Sequence, residues 1–443
     1  MGAIPVGRLD GCSFATAESV VGTRGAASLA RLDFEGVLAG RSFMNSADHT
    51  RAAGGVAMKV GVAKEIASGE RRVALIPETA DKLRGAKLTV LVERGAGAGA
   101  SFPDHSYVDA GARIVTTSTL YESCDVILRV QRPTPWEAKL FHPGQVVIGL
   151  LGPLLDPQAM NMLARNKITA VSMDAIPRTL SRAQGMDALS SQANIAGYKA
   201  ALIAADSFGR YFPLLTTAAG TARPANVLVL GVGVAGLQAI ATARRLGAMV
   251  RAYDVRRDTK EQVESLGAQF VTLNSVADAT GEGGYARALT AEEQAAQQAE
   301  LNGIIAAHDI VITTAQVPGR RPPVLVTKAA VEAMKPGSVI VDMAASEHGG
   351  NCELSKLDKL VTTPNGVEIH APSNLPSSMA TGASIFYSRN ISSLLMNFVK
   401  AGKLEFDFDD EITAATVITY GGQVVQEATK KLLTPEAKGD APA

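Results

Sequence analysis

One stretch constrains the fold more than any other. NVLVLGVGVAGLQAIATARRLGA, residues 226–248, reads as an apolar strand, then Gly231-x-Gly233-x-x-Gly236, then a helix. The first glycine allows a sharp turn, the second lets backbone approach a pyrophosphate, and the third lets helix and strand pack closely. The helix that follows presents free N–H groups and a partial positive charge to phosphates. An acid, Asp254 in VRAYDVRR, stands eighteen residues past Gly236 at the end of the next strand pattern, where a ribose-reading carboxylate belongs. Strand, loop, helix and acid together predict a dinucleotide-binding α/β unit.

The acid also bears on which dinucleotide. A carboxylate accepts hydrogen bonds from ribose hydroxyls and repels a 2′-phosphate. At ~4 Å and an effective dielectric near 20, each like charge costs about 4 kcal/mol. This favours NAD(H) over NADP(H). Arg256 and Arg257 follow the acid and pull the other way.

The same alternation runs along most of the chain. MKVGVA, LTVLVE, CDVILRV and VVIGLL read as buried strands, with helical patterns such as PETADKLRGA between them. A second series runs from the glycine loop through AMVRAYDV, AQFVTL, DIVITTA and SVIVDMA. Short apolar runs alternating with helices predict parallel sheets with crossovers, so the fold class is α/β with two Rossmann-like doubly wound domains. After about Ala371 the pattern is helical through SSMATGASIFYSRNISSLLMNFVKAG, then a weak hairpin at ATVITYGGQVV, and this end is expected to complete the first domain. The division is 58–192 plus 372–430, 193–371, and a polar tail at 431–443. Residues 1–57 show no period. Asp10, Glu18, Asp33, Glu35 and Asp48 argue against a transit peptide, so a disordered extension or an artefact of the assigned start is expected.

The 443 residues exceed one ordinary core, and 47% hydrophobic with 19% charged residues is a globular balance. Lysine plus arginine equals aspartate plus glutamate at 43 each, which argues against nucleic-acid binding. Cys12, Cys124 and Cys352 form no CxxC, and the six histidines form no HExxH, so neither a disulfide framework nor a metal site is expected. The longest apolar run, VVIGLLGPLL, is too short to span a bilayer, so any membrane association must come through a partner.

Two further segments face the proposed nucleotide. VADATGEGGYARAL carries Gly281, Gly283, Gly284 and Tyr285, and reads either as a lid closing over nucleotide or as an ordinary exposed loop. Thr290 and Glu293 make a capping box just after it. Thr314, Ala315 and Gln316 stand past the fourth strand of the second series, at the sheet edge where open α/β folds bind ligands.

KEIASGERRVALIPE, KPGSVIVDMA and the glycine loop together resemble the family that joins alanine dehydrogenase to the NAD(H)-binding component of proton-translocating nicotinamide nucleotide transhydrogenase, over residues 58–430. PRTLSRAQGMDALSSQANIAGY, residues 177–198, looks like the polar loop of the transhydrogenase branch. Carried over, the resemblance implies that Arg178, Gln184, Asp187 and Ser190 hold the nicotinamide end, with Gln184 on the carboxamide. It implies nucleotide contacts from Gly231, Gly233, Val234, Gly236, Asp254, Val255, Arg256, Gly284, Tyr285, Thr314, Ala315 and Gln316. The loop has one residue more than usual between Arg178 and Gln184, which leaves Arg182 as an alternative to Arg178. AASEHGGNC is also one residue longer than usual.

Alanine dehydrogenases carry a lysine where this chain has Gln131 in RVQRP, and a histidine that GLLGPL lacks. That branch would need a substrate-binding cation, for which only Arg72 and Arg129 remain. A third alternative is a non-catalytic NAD(H) sensor. The transhydrogenase resemblance implies direct hydride transfer from NADH to NADP+ bound on a partner subunit, coupled to proton movement through membrane subunits. It implies a homodimer, a separate soluble subunit, and a cytoplasmic location peripheral to the inner (plasma) membrane, with the mitochondrial matrix side as the alternative. Hydride transfer between two nicotinamides needs no acid or base at the reacting carbons. It needs ring contact at ~3–3.5 Å and exclusion of water, which suits a polar loop with no histidine or cysteine.

Overall fold

A computed structural model describes residues 57–273, 291–316 and 321–433. The expected lid with Gly284 and Tyr285, the capping box at Thr290, the extension at 1–56 and the tail from Thr434 lie outside the described residues.

The first half of the chain builds β1 (Lys59–Val62), α1 (Pro77–Gly85), β2 (Thr89–Glu93), α2 (Asp104–Asp109), β3 (Arg113–Val115), α3 (Thr117–Ser123), β4 (Val126–Gln131), β5 (Val146–Leu150), α4 (Pro157–Arg165) and β6 (Thr169–Ser172). A 3₁₀ turn, Ser181–Met186, leads into the long helix α5 (Ala188–Ser207). A small hairpin, β7 (Leu215–Thr217) and β8 (Gly220–Ala222), precedes the second series: β9 (Asn226–Leu230), α6 (Val234–Arg245), β10 (Met249–Tyr253), α7 (Lys260–Ser265), β11 (Gln269–Phe270), α8 (Ala291–Ala306), β12 (Ile310–Thr313), α9 (Lys328–Ala333), β13 (Val339–Asp342), β14 (Leu360–Thr362) and β15 (Glu368–His370). The chain returns through α10 (Leu375–Ser378), α11 (Ala380–Phe398), the short pair β16 (Val399–Lys400) and β17 (Lys403–Leu404), α12 (Glu411–Thr416), β18 (Val417–Tyr420), β19 (Gln423–Val424) and α13 (Glu427–Leu433).

Two sheets result. The first has the order β19-β18-β6-β5-β4-β1-β2-β3 and the second β11-β10-β9-β12-β13-β15-β14. β1 to β6 are parallel to their neighbours, as are β9 to β13 and β15. Each sheet ends on antiparallel strands, which the expectation of parallel sheets did not include. β18 and β19 close one edge of the first, and β14 closes one edge of the second. No crossover joins them to their neighbours, so they need not run parallel. The sequence reading also missed β3 and β6. Each is at most four residues long, too short to show a period against the adjoining helical pattern.

The strands are buried on both faces, which is why they read as continuous Val/Ile/Leu runs. Val60, Val62, Leu128 and Ile148 face one apolar cluster, while Ile127, Val147 and Ala170 face another across the sheet. The second sheet repeats the arrangement, with Val227, Val229, Ile310 and Ile312 on one side and Leu228, Leu230, Val311 and Ile340 on the other.

α5 belongs to both halves. Ala188 at its start is part of the first core, while Ala196, Ala200, Ala201 and Ala204 are part of the second. It packs on α6 at Gly197, where a Cβ would overlap the backbone carbonyl of Ala235. Small side chains along α5 permit this backbone-to-backbone approach. Gly197→Ala is therefore expected to push α5 off α6 and cost about 1–3 kcal/mol. Urea unfolding would show the loss, and a wild-type midpoint would count against the contact.

Candidate functional site at the edge of the second sheet

The glycine loop is held by the strands around it. Gly231 has φ +96°. Its N–H donates to the Tyr253 carbonyl at 2.9 Å, and its own carbonyl accepts from Thr314 Oγ1 at 2.9 Å. A Cβ here would meet Thr314 Oγ1 at 2.7 Å, and a Cβ at Gly236 would overlap the Gly231 carbonyl. These two glycines are required by the protein itself. Gly233 differs: its φ is −86° and nothing lies within 4 Å of where a Cβ would stand. The space above it, at the N-terminus of the twelve-residue α6, suits a diphosphate lying on backbone. Val234 is the first residue of that helix.

Asp254 lies beside the loop. Its carboxylate accepts from the Val232 N–H at 2.7 Å, the Arg256 N–H at 2.9 Å, and Arg256 Nε and Nη2 at 3.0 and 3.1 Å. Burial alone would raise its pKa, but the bonds from Arg256 and Val232 outweigh it and hold the carboxyl below the ordinary value. Val255, beside it, is exposed.

Thr314, Ala315 and Gln316 follow β12. The Ala315 N–H donates to Asn351 Oδ1 at 2.9 Å, and Asn351 Nδ2 donates to the carbonyls of Ala315 and Pro323 at 2.9 and 2.7 Å. Asn351 is fixed in turn by the fully buried Asp342. This carboxylate accepts from Thr313 Oγ1, Ser355 Oγ and the N–H groups of Ala344, Asn351 and Cys352. Sequence reasoning named neither residue; Asn351 lies in the stretch whose extra residue blurred the resemblance.

On the first-domain side, Asp187 caps α5, its Oδ1 accepting from the Ser190 N–H at 2.9 Å. Arg178 Nε donates to Asp187 Oδ2 at 3.1 Å and its Nη2 to Ser190 Oγ at 2.7 Å, while Ser190 Oγ donates to Asp187 Oδ2 at 2.6 Å. Arg178, Asp187 and Ser190 are thus one closed cluster. Arg182 is elsewhere, paired with Asp410 at 2.6 Å. Gln184 is exposed on the 3₁₀ turn, and among the described residues its side chain has no hydrogen-bond partner.

A cavity of about 230 Å³ joins the two sides. α5 supplies Leu189, Gln192, Ala193 and Ala196; the second domain supplies Ala235, Thr314, Gln316 and Met343; Pro372 to Pro376 close one end. Its wall begins two residues after Asp187. A larger cavity, about 390 Å³, opens at the opposite edge of the second sheet among Asn226, Arg251, Gln269 and His308, away from every candidate residue.

Gln192, which the sequence reading passed over, ties the cavity to a buried polar network. Its Oε1 accepts from Arg72 Nη1 at 2.9 Å. Arg72 also grips Glu70 through Nε and Nη2 at 2.8 and 2.6 Å, and Glu70 Oε2 accepts from Gln131 Nε2 and Asn374 Nδ2 at 2.8 and 3.0 Å. Arg129 is 1% exposed. It donates to Glu137 at 2.5 Å, Glu65 at 3.3 Å and Tyr121 at 3.1 Å. Both arginines considered as remnants of an amino-acid site are therefore committed to internal carboxylates. Arg129 is a structural cation, because its counterions come from β-strand ends that the linear sequence does not place beside it.

Burial would raise the Glu70 carboxyl, but hydrogen bonds from Arg72, its charge, and the Gln131 N–H outweigh this and hold it at about 2 against an ordinary 4.5. A depressed carboxylate stabilises the fold fully above its unfolded pKa and loses that contribution as pH falls through the folded one. Stability is therefore expected to fall as pH drops from about 4.5 toward 2. Glu70→Gln should flatten this part of the profile and cost about 3 kcal/mol at neutral pH, because Arg72 stays buried with its charge unpaired. Urea midpoints across pH would check both, and an unchanged acid limb would contradict the assignment.

Comparison with known proteins adds an independent line. The family description "Alanine dehydrogenase/PNT, C-terminal domain" matches residues 200–427, and "Alanine dehydrogenase/PNT, N-terminal domain" matches 61–196. The first of the two alpha-subunit polypeptides of the NAD(P) transhydrogenase of Rhodospirillum rubrum is 45% identical over 381 residues, covering 84% of this chain and 98% of the relative. The crystal structure of a transhydrogenase from Sinorhizobium meliloti superposes with a TM-score of 0.74 at 43% identity, over 83% of this chain and all of that one. Alanine dehydrogenase of Bacillus subtilis is more distant, at 29% identity over 84% of this chain and 94% of the relative. The chain belongs to the alanine dehydrogenase/PNT family, whose members bind a nicotinamide cofactor, and within it stands nearer the transhydrogenase alpha subunits than the alanine dehydrogenases.

Proposed function

We propose that this chain is the NAD(H)-binding subunit of a proton-translocating transhydrogenase. It holds NADH while a hydride passes directly to NADP+ bound on a partner subunit, and membrane subunits couple the transfer to proton movement. The observation that carries the proposal is the pairing of an open glycine loop with the Arg178–Asp187–Ser190 cluster, across a cavity that no titratable side chain among the described residues lines.

The diphosphate would lie above Gly233 at the start of α6, and Asp254 would meet the ribose. All four carboxylate lone-pair sites of Asp254 are engaged, two of the bonds coming from the half-exposed Arg256 side chain. A ribose diol can take the place of that arginine, because its departure leaves the backbone bonds intact. A 2′-phosphate meets the carboxylate's charge. Thr314, Ala315 and Gln316 would flank the nicotinamide half, on backbone fixed by Asn351.

When bound, NADH supplies the hydride, and the chain's residues hold the ring and keep water out. Gln184 would hold the carboxamide with an amide that no described residue engages. Arg178, Asp187 and Ser190 fix the start of α5 and hence the turn that carries Gln184. Tyr285 and Gly284, on the segment outside the described residues, would close over the nucleotide. No helix among the described residues is long and apolar enough to cross a membrane, so attachment to the inner membrane would come through the partner subunits. The chain is proposed to work as a homodimer on the cytoplasmic side.

The alternative, a free-standing alanine dehydrogenase, would place a substrate carboxylate on Arg72 or Arg129. Glu70, Glu65 and Glu137 already occupy both. The deciding measurement is NADH oxidation by the purified chain with pyruvate and ammonium, then with the NADP(H)-binding partner and an NADP+ analogue. Turnover is expected only in the second mixture; turnover with pyruvate alone would overturn the proposal. In the active mixture, Gln184→Asn is expected to slow hydride transfer about tenfold or more with NADH affinity nearly unchanged. Loss of binding at unchanged turnover would contradict the role given to Gln184.

A further inference from the structure

The turn that carries Gln184 is held from both sides, and the holding groups come from a part of the chain two hundred residues away. The turn is 3₁₀, six residues long, with Ala183 and Met186 buried in the first core. Its exposed face has no backbone ladder to fix it. Asn390, in the middle of α11 and 8% exposed, donates from Nδ2 to the Gly185 carbonyl at 2.8 Å and accepts at Oδ1 from Ser191 Oγ at 2.7 Å. One side chain thereby joins the residue after Gln184 to the first turn of α5. On the other side, Arg182 reaches Asp410 at 2.6 Å and Glu411 at 3.8 Å.

Asp410 is itself a fixed point. It caps α12, accepting from the Thr413 N–H at 3.0 Å and from Thr413 Oγ1 at 3.2 Å. The segment before it is pinned by aromatic contacts. Phe406 packs against Phe398 and Tyr420 with ring centroids 5.0 and 5.8 Å apart, and Phe408 lies 5.2 Å from Tyr420. The acid at the end of this segment therefore cannot follow Arg182; Arg182 must come to it.

Resting on the function proposed above, we infer that Asn390 and the Arg182–Asp410 pair are positioning residues for hydride transfer: a buttress from the C-terminal segment that sets where Gln184 stands. None of the three is placed against the nucleotide. Their effect passes through Gly185 and Arg182, the residues one and two positions from Gln184. A shift of about 1 Å at a reacting ring can cost a hundredfold in rate while leaving most of the binding contacts in place. The glycine loop, Asp254 and the strand-end residues that would hold the rest of the dinucleotide are in the other domain and do not depend on the buttress.

The test uses the full chain assembled with its NADP(H)-binding partner. Single-turnover hydride transfer from NADH to an NADP+ analogue is measured beside the NADH dissociation constant and the melting temperature. Asn390→Ala and Arg182→Ala are each expected to slow transfer about tenfold or more, with the NADH dissociation constant within about twofold of wild type. Arg182→Lys, which keeps the charge, should recover most of the rate. Should Asn390→Ala fail to fold, the half-exposed Arg182 variants still decide the matter. Wild-type rates in the Arg182→Ala protein, or a loss of rate matched by an equal loss of NADH affinity, would overturn the inference. No transfer by the wild-type assembly would instead overturn the functional reading, and the buttress with it.

Discussion

The close approach of α5 to α6 at Gly197 and Ala235 is the contact on which the site depends. Glycine in mid-helix costs roughly 0.5–1 kcal/mol against alanine, yet here no other residue fits, because the neighbour is a backbone carbonyl. The contact sits directly behind the glycine loop, since Ala235 is the second residue of α6. At its other end α5 is capped by Asp187, the acid of the polar cluster. One rigid helix therefore fixes the distance between the place for the diphosphate and the place for the nicotinamide.

Around that helix the chain relies on buried charge rather than apolar packing. Glu70, Arg72, Gln131, Gln192 and Asn374 join the first strand's loop, the fourth strand, α5 and the returning segment in one network. Burying ions is costly, and networks of this kind stabilise only when nearly every lone pair and proton is matched. Apolar contacts would fill the same volume but tolerate sliding; bidentate Arg72–Glu70 geometry does not. The site's walls meet at this network, which gives a physical reason for polar groups in a position where alanine and leucine would be easier to bury.

The alternation of strands and helices, the glycine loop and its acid were legible in the sequence because each is a local pattern. Gly231, Gly236 and Asp254 interact with residues of the same βαβ unit, so spacing alone carries the information. The Arg178, Asp187 and Ser190 cluster was legible for the same reason, being a short local stretch with its own helix cap. What was not legible comes from distant parts of the chain. Arg129 looks like a free cation until Glu65 and Glu137 fold onto it. Asn390, Asn374 and Ser377 reach the first domain from far downstream in the chain. Asn351 carries no signal at all: an asparagine beside two glycines reads as a turn, and only the backbone of Ala315 reveals its purpose.

The same reasoning explains why the polar loop lacks histidine and cysteine. A site that moves protons at the substrate needs a group that titrates near neutral pH and is free to change partners. The loop's ionisable groups are Arg178, Arg182 and Asp187, and each is tied to a fixed partner: Arg178 to Asp187 and Ser190, Arg182 to Asp410. A closed set of ion pairs makes a poor proton shuttle and a good scaffold. Its strength lies in holding one neutral side chain, Gln184, with its amide available at the end of a braced turn. In the proposed reaction the acceptor for the hydride arrives on another protein, so rigidity on this side is what makes a shared site work. Two nicotinamides can meet at contact distance only if one of them is already held still.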